Sequence, residues 1–161
     1  QQRILEEKIE KQVHKILADY ETIRSEEHPV FSVEDLEEAM QKIMDEYAGG
    51  ISSSYQFNEK QLSLADEKIE QLMRLSEHIA ASDMHELLFA YELKDRLLVC
   101  KALIAHMRSR KETRWHSFNE NLDYPDIDET YYKYVNTRWV NGEFQVMLRD
   151  IVEEAEYEHT N

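Results

Sequence analysis

Five cations and a tryptophan crowd into one short stretch of an otherwise acidic chain. Lys101, Arg108, Arg110, Lys111 and Arg114 stand together with a single acid, Glu112, among them, and Trp115 follows. Arginine offers a planar fork of donors that suits carboxylates, and arginine and tryptophan are the residues that most often anchor protein contacts. Some of this charge simply complements the negative end of a helix dipole. The remainder is read as an interface to another domain rather than as a substrate contact. Its candidate residues are Arg108, Arg110, Arg114, Trp115 and His116, with Asp123 and Tyr124 just beyond.

Other reactive residue types lack a productive spacing. His78 and His85 lie seven apart with Ser82-Asp83 between them, and His106 and His116 flank the end of a long apolar stretch. Neither pair has the three- or four-residue spacing that builds a metal site on a helix, so a metal-binding bundle is the weakest reading. Cys100 stands alone in an apolar run, which excludes an internal disulfide and a CxxC centre and suits a small core residue. Glu6-Glu7, Glu26-Glu27 and Glu153-Glu154 are adjacent pairs. Neighbours on a helix diverge by about 100°, so these read as solvated faces rather than catalytic dyads. No Gly-rich phosphate loop, GxGxxG fingerprint, GxSxG elbow or HExxH pair occurs.

The elements that must carry the cationic stretch are mostly helical. Three glycines and two prolines are too few for an all-β protein. Ile4, Ile9, Val13, Ile16, Leu17, Tyr20 and Ile23 recur at helical spacing over about 2–24. Pro29 disfavours helix at His28, so Ser25–Phe31 is read as a break. Ser32 is a plausible N-cap for a second helix, with Leu36, Ala39, Met40, Ile43, Met44 and Tyr47 on one face and Gly49-Gly50 at its end. Asn58 caps a third, striped by Leu62, Ala65, Ile69 and Leu72. A fourth, from about Asp83 to Arg110, is apolar on most of its faces and is expected to be central.

The periodicity then changes. Residues 111–129 show no helical repeat and hold Asp123-Tyr124-Pro125-Asp126, a turn or extended stretch. Asn141-Gly142 between two β-prone runs predicts a hairpin over 130–152, because a type I′ turn needs positive φ at both central residues. The last ten residues are acidic and expected to fray. The predicted class is mainly α: a single domain over 1–161, with about four helices around a central apolar one and a C-terminal β-hairpin.

Charge and hydropathy narrow the partners. With 19 Lys+Arg against 34 Asp+Glu, the formal charge of −15 repels phosphate backbones and anionic membranes, so neither nucleic acid nor a membrane surface is expected. No apolar run approaches the roughly 20 residues of a spanning helix, and no signal-peptide pattern opens the chain. A cytoplasmic setting is the default expectation. Gln1 to Leu5 already read as running helix, which suggests a segment taken from a longer protein.

The run Arg108–Trp115 followed by Leu122-Asp123-Tyr124-Pro125-Asp126 resembles the C-terminal domain of the succinate dehydrogenase/fumarate reductase flavoproteins. It is closer still to the adenylylsulfate reductase α-subunit branch. Gln41–Tyr47, Asn58-Glu59-Lys60, Asp83–Leu88 leading to Tyr91-Glu92-Leu93, Val135-Asn136 and Gly142-Glu143-Phe144 fit the same comparison, which spans about residues 33–150. Where the family commonly carries arginine two residues before the Asp of Asp-Tyr-Pro, this chain has Asn121. The resemblance implies a helical domain that packs on FAD-binding and capping domains of the same polypeptide, with an iron–sulfur subunit as a further partner. It implies FAD for the parent oxidoreductase and no catalytic, cofactor or metal residue within this segment. The reading from a different class is a stand-alone helical adaptor that binds a protein partner.

Overall fold

A computed structural model describes residues 2–25 and 31–152, with side chains for 3–21 and 31–152. The Pro29 break, the Glu26-Glu27 and Glu153-Glu154 pairs, the side chain of Ile23 and the acidic C-terminal stretch lie outside the described residues. Four helices, α1 (Gln2–Ser25), α2 (Val33–Tyr47), α3 (Glu59–Ser76) and α4 (Met84–Ser109), are followed by a hairpin of β3 (Lys133–Val140) and β4 (Glu143–Asp150). The mainly helical class with a C-terminal hairpin is what the periodicity predicts. Two short strands, β1 (Gln56–Phe57) and β2 (Glu120–Asn121), pair in parallel. At two residues each they leave no alternation for a sequence to display.

Helix starts follow local chemistry. Ser32 Oγ accepts the Asp35 N–H at 3.1 Å, and the Asp35 carboxylate accepts both the Ser32 N–H and its hydroxyl at 3.0 and 2.9 Å. This reciprocal box satisfies amide groups that the first turn cannot pair internally. Asn58 Oδ1 accepts the Gln61 N–H at the start of α3, and Asp83 Oδ1 accepts the His85 and Glu86 N–H groups at the start of α4. Gly49, at φ +74°, ends α2 in the left-handed conformation.

The chain divides into two compact units, residues 1–40 with 70–97, and 41–69 with 98–161. In the first, Leu36, Leu72, Ile79, Leu87, Ala90, Leu93 and Leu97 are buried. The Tyr91 hydroxyl donates to Asp19 at 3.0 Å, Lys94 pairs with Glu77 at 3.0 Å, and Arg96 pairs with Glu37. Ile4, Leu5, Ile9, Val13, Ile16 and Leu17 of α1 stay 39–60% exposed.

In the second unit, Phe57, Leu62, Ala65, Ile69 and Ile104 form the core. The hairpin is in the register set by a two-residue turn with positive φ at Asn141 and Gly142. Lys133, Val135 and Thr137 alternate as the half-buried face of β3, and Thr137 Oγ1 lies 3.1 Å from His106 Nε2. Along its length α4 buries Leu87, Ala90, Leu93, Leu97 and Ile104, while Leu88, Val99 and Leu103 stay exposed.

Candidate domain interface

The candidate residues sit at the C-terminal end of α4 and on the loop that follows it. Three buried polar residues organise that loop: Glu112, Thr113 and Asn121, at 4%, 1% and 6% exposure. Thr113 Oγ1 donates to the Tyr124 carbonyl at 2.8 Å and accepts the Asn121 N–H at 2.9 Å, and the Thr113 N–H donates to the Asp126 carbonyl. Asn121 Oδ1 accepts the Asp123 N–H at 3.1 Å. The Glu120 N–H donates to the Tyr55 carbonyl and the Leu122 N–H to the Phe57 carbonyl, which ties the loop to β1. Backbone groups that would otherwise need water are thereby paired within the protein.

Glu112 is the hub. Arg110 Nη1 pairs with its Oε1, and Arg114 grips both oxygens, Nε to Oε1 at 3.1 Å and Nη2 to Oε2 at 2.9 Å. The Asp128 N–H adds a backbone donor at 3.0 Å. Each guanidinium also bonds backbone: Arg110 to the Lys133 carbonyl at 2.8 Å, Arg114 to the Asp128 carbonyl at 3.3 Å. Burial pushes the Glu112 carboxyl up, but the bonds from Arg114, the Asp128 N–H and Arg110 outweigh it and hold the group below the usual glutamate range.

The other predicted residues have distinct places. Arg108 turns to α3, with Nε 2.8 Å and Nη2 2.6 Å from Glu59 Oε1. Asp123 accepts the Glu59 N–H at 2.8 Å and so caps the first turn of α3 from 64 residues away. Tyr124 lies under Lys111, with Nζ 5.9 Å from its ring centre. His116 Nδ1 is 3.8 Å from Glu120, and Trp115 is 69% exposed. Arg110, Arg114, Asp123 and Tyr124 thus gather around one loop, whereas Arg108 braces helix against helix.

Sequence reasoning passed over Glu112, Thr113 and Asn121 as organisers, and over Tyr55, Phe118, Tyr132 and Tyr134 as surface aromatics. A lone acid among five cations was a usable signal for a shared counter-ion. Nothing in the local pattern marks Tyr55, whose ring lies 6.5 Å from that of Phe118 across 63 positions of chain.

Among the described residues, no three His, Cys, Asp or Glu side chains converge to hold a metal, and no helix is long and apolar enough to cross a membrane. Gly49 and Gly50 end a helix and Gly142 turns a hairpin, so among the described residues no glycine stands between a strand and a helix N-terminus, where a pyrophosphate would be cradled.

Residues 37–159 match the family described as the fumarate reductase flavoprotein C-terminus, and the chain belongs to that family. Among particular relatives, the adenylylsulfate reductase subunit alpha of Megalodesulfovibrio gigas is 31% identical over 99 residues, 61% of this chain and 15% of that protein. The solved structure of adenylylsulfate reductase from Archaeoglobus fulgidus superimposes with a TM-score of 0.75 at 31% identity, covering 95% of this chain and 25% of that one. A structure described as adenosine-5-phosphosulfate reductase with a covalent sulfite adduct gives the same values. The chain spans a quarter or less of the length of these relatives.

Proposed function

We propose that this chain is the C-terminal accessory domain of an FAD-dependent oxidoreductase, packing on the flavin-bearing domains and without catalytic activity alone. The observation that carries the reading is the family match over residues 37–159 in a chain that spans only 25% of a solved relative. The loop after α4 supports it, because Trp115 and Phe118 stay exposed while Thr113 and Asn121 are buried and bonded within the loop. By kinship the parent is first tested as an adenylylsulfate reductase, forming sulfite and AMP with electrons delivered through an iron–sulfur partner.

The test is to express the entire reading frame that contains this segment and to read its flavin absorbance and its reduction of adenylylsulfate. A stoichiometric flavin in the longer product, with none in residues 1–161 alone, is the expected result. A reading frame that adds no flavin-binding part would defeat the proposal and leave the helical adaptor. Flavin without turnover of adenylylsulfate would keep the domain assignment and dismiss the substrate.

A further inference from the structure

The loop between Lys111 and Asp128 buries three polar side chains, Glu112, Thr113 and Asn121, while four large apolar ones, Trp115, Phe118, Leu122 and Ile127, are 69%, 74%, 52% and 51% exposed beside its outward polar residues. Surface loops ordinarily put polar groups outward, and large exposed aromatics are the residues that most often dominate contacts with partners.

Tyr55 reinforces the point. Ser54 and Tyr55 both hold positive φ, 55° and 62°, a conformation that costs roughly 1–2 kcal/mol in an L-residue. That strained corner sets the Tyr55 ring beside Phe118. Strain of this kind persists where the surrounding structure fixes it, and it clusters at functional surfaces.

The charges exclude a second copy as the preferred occupant. Asp123, Asp126 and Glu129 are exposed on and beside the loop, and Lys111 is drawn over Tyr124. With a formal charge of −15, two copies would oppose acidic rims. A partner surface with an apolar centre and a cationic rim complements the patch. Arg110 and Arg114 already pair with the buried Glu112 carboxylate, so the loop's outward charge is set mainly by its acids.

We infer that residues 111–128 form a preorganised docking loop, whose Trp115 and Phe118 enter an apolar, Lys/Arg-rimmed depression on another domain of the same polypeptide. The source follows from length: three quarters of a chain such as the solved relative lies outside this segment. The inference rests on the accessory-domain reading, and the two can fail separately. Glu112 acts here as a positioning residue, because it fixes the shape of the loop without touching the partner.

Hydroxyl-radical footprinting of the complete reading-frame product tests it, with oxidation of Trp115 and Trp139 read in separate peptides of one sample. In this segment Trp115 is the more exposed, 69% against 44%. Docking reverses that order, with Trp115 oxidised at least about five-fold more slowly than in residues 1–161 alone, as for a side chain in a water-excluding interface. Trp115 oxidised faster than Trp139 in a product that carries flavin overturns the docking loop and leaves the accessory-domain reading standing. A product without flavin overturns that reading instead. Protection of Trp115 that appears only when a purified iron–sulfur subunit is added also overturns the inference, because the occupant is then another chain. A W115A/F118A variant supplies the second arm: residues 1–161 should melt unchanged, while the complete product releases the domain to limited proteolysis. Retention of protease resistance in that variant counts against the inference.

Discussion

Glu112 shares one buried carboxylate between two guanidinium groups, and the shape of the loop after α4 depends on that arrangement. Glu112→Gln keeps the volume but removes the charge that both arginines face. Thermal or urea unfolding should show a loss of roughly 2 kcal/mol, the scale of leaving charged donors without their acceptor. The same group predicts a pH dependence. Its carboxyl titrates below its ordinary value of 4.5 when folded, so the unfolded chain takes up the proton first as the pH falls. The contribution is complete above that ordinary value and is lost as the pH drops through the lower, folded one. Unfolding measured across the acid range should be less steep in Glu112→Gln than in the parent; equal slopes would remove Glu112 from the account. The cationic cluster was legible in the sequence, from Lys101 to Arg114. The inward turn of Arg110 and Arg114 was not, because their partner backbone groups, Lys133 and Asp128, are 23 and 14 residues away.

Among the elements, the helix starts and the hairpin were open to reading because their causes are local. Ser32 binds Asp35 three residues on, and Asn141-Gly142 adopts positive φ wherever strands flank it. Ser32→Ala should cost about 1 kcal/mol, the usual value of an N-cap, seen as a lower unfolding midpoint in urea. Gly142→Ala should cost about 1 kcal/mol or slightly more through backbone conformation alone. A Cβ at Gly142 would meet nothing within 4 Å, so the φ of +89° is the whole cause. A neutral Gly142→Ala would show the turn to be something other than this one. The parallel β1–β2 pair escaped because two residues carry no period and because its strands are 64 positions apart.

On the scale of the whole molecule, α1 is the exception that periodicity cannot explain alone. Its apolar residues recur as a helix requires, yet six of them are between 39% and 60% exposed. Isolated helices are marginal in water, and most helical stability comes from burying an amphipathic face. Hydrogen exchange read by mass spectrometry should therefore find α1 amides exchanging fastest among the four helices in residues 1–161. The α4 amides around Leu93 and Leu97, 1% and 0% exposed, should be the slowest. Uniform protection across α1 and α4 would mean that something covers α1 in the preparation, and sedimentation would then reveal an association.

Residue order by itself determined the helices, their caps, the hairpin and the membership in a flavoprotein C-terminal family, since each depends on neighbours a few positions apart or on motifs in sequence order. It also grouped the interface candidates on one short segment, residues 108–124. Only the tertiary structure decided what those residues do there. It turned Arg110 and Arg114 onto Glu112, hung Asp123 on the start of α3, and left Trp115 and Phe118 in the open. The physical reason is that pairing and burial depend on which backbone groups arrive from far along the chain, and no local pattern encodes that arrival.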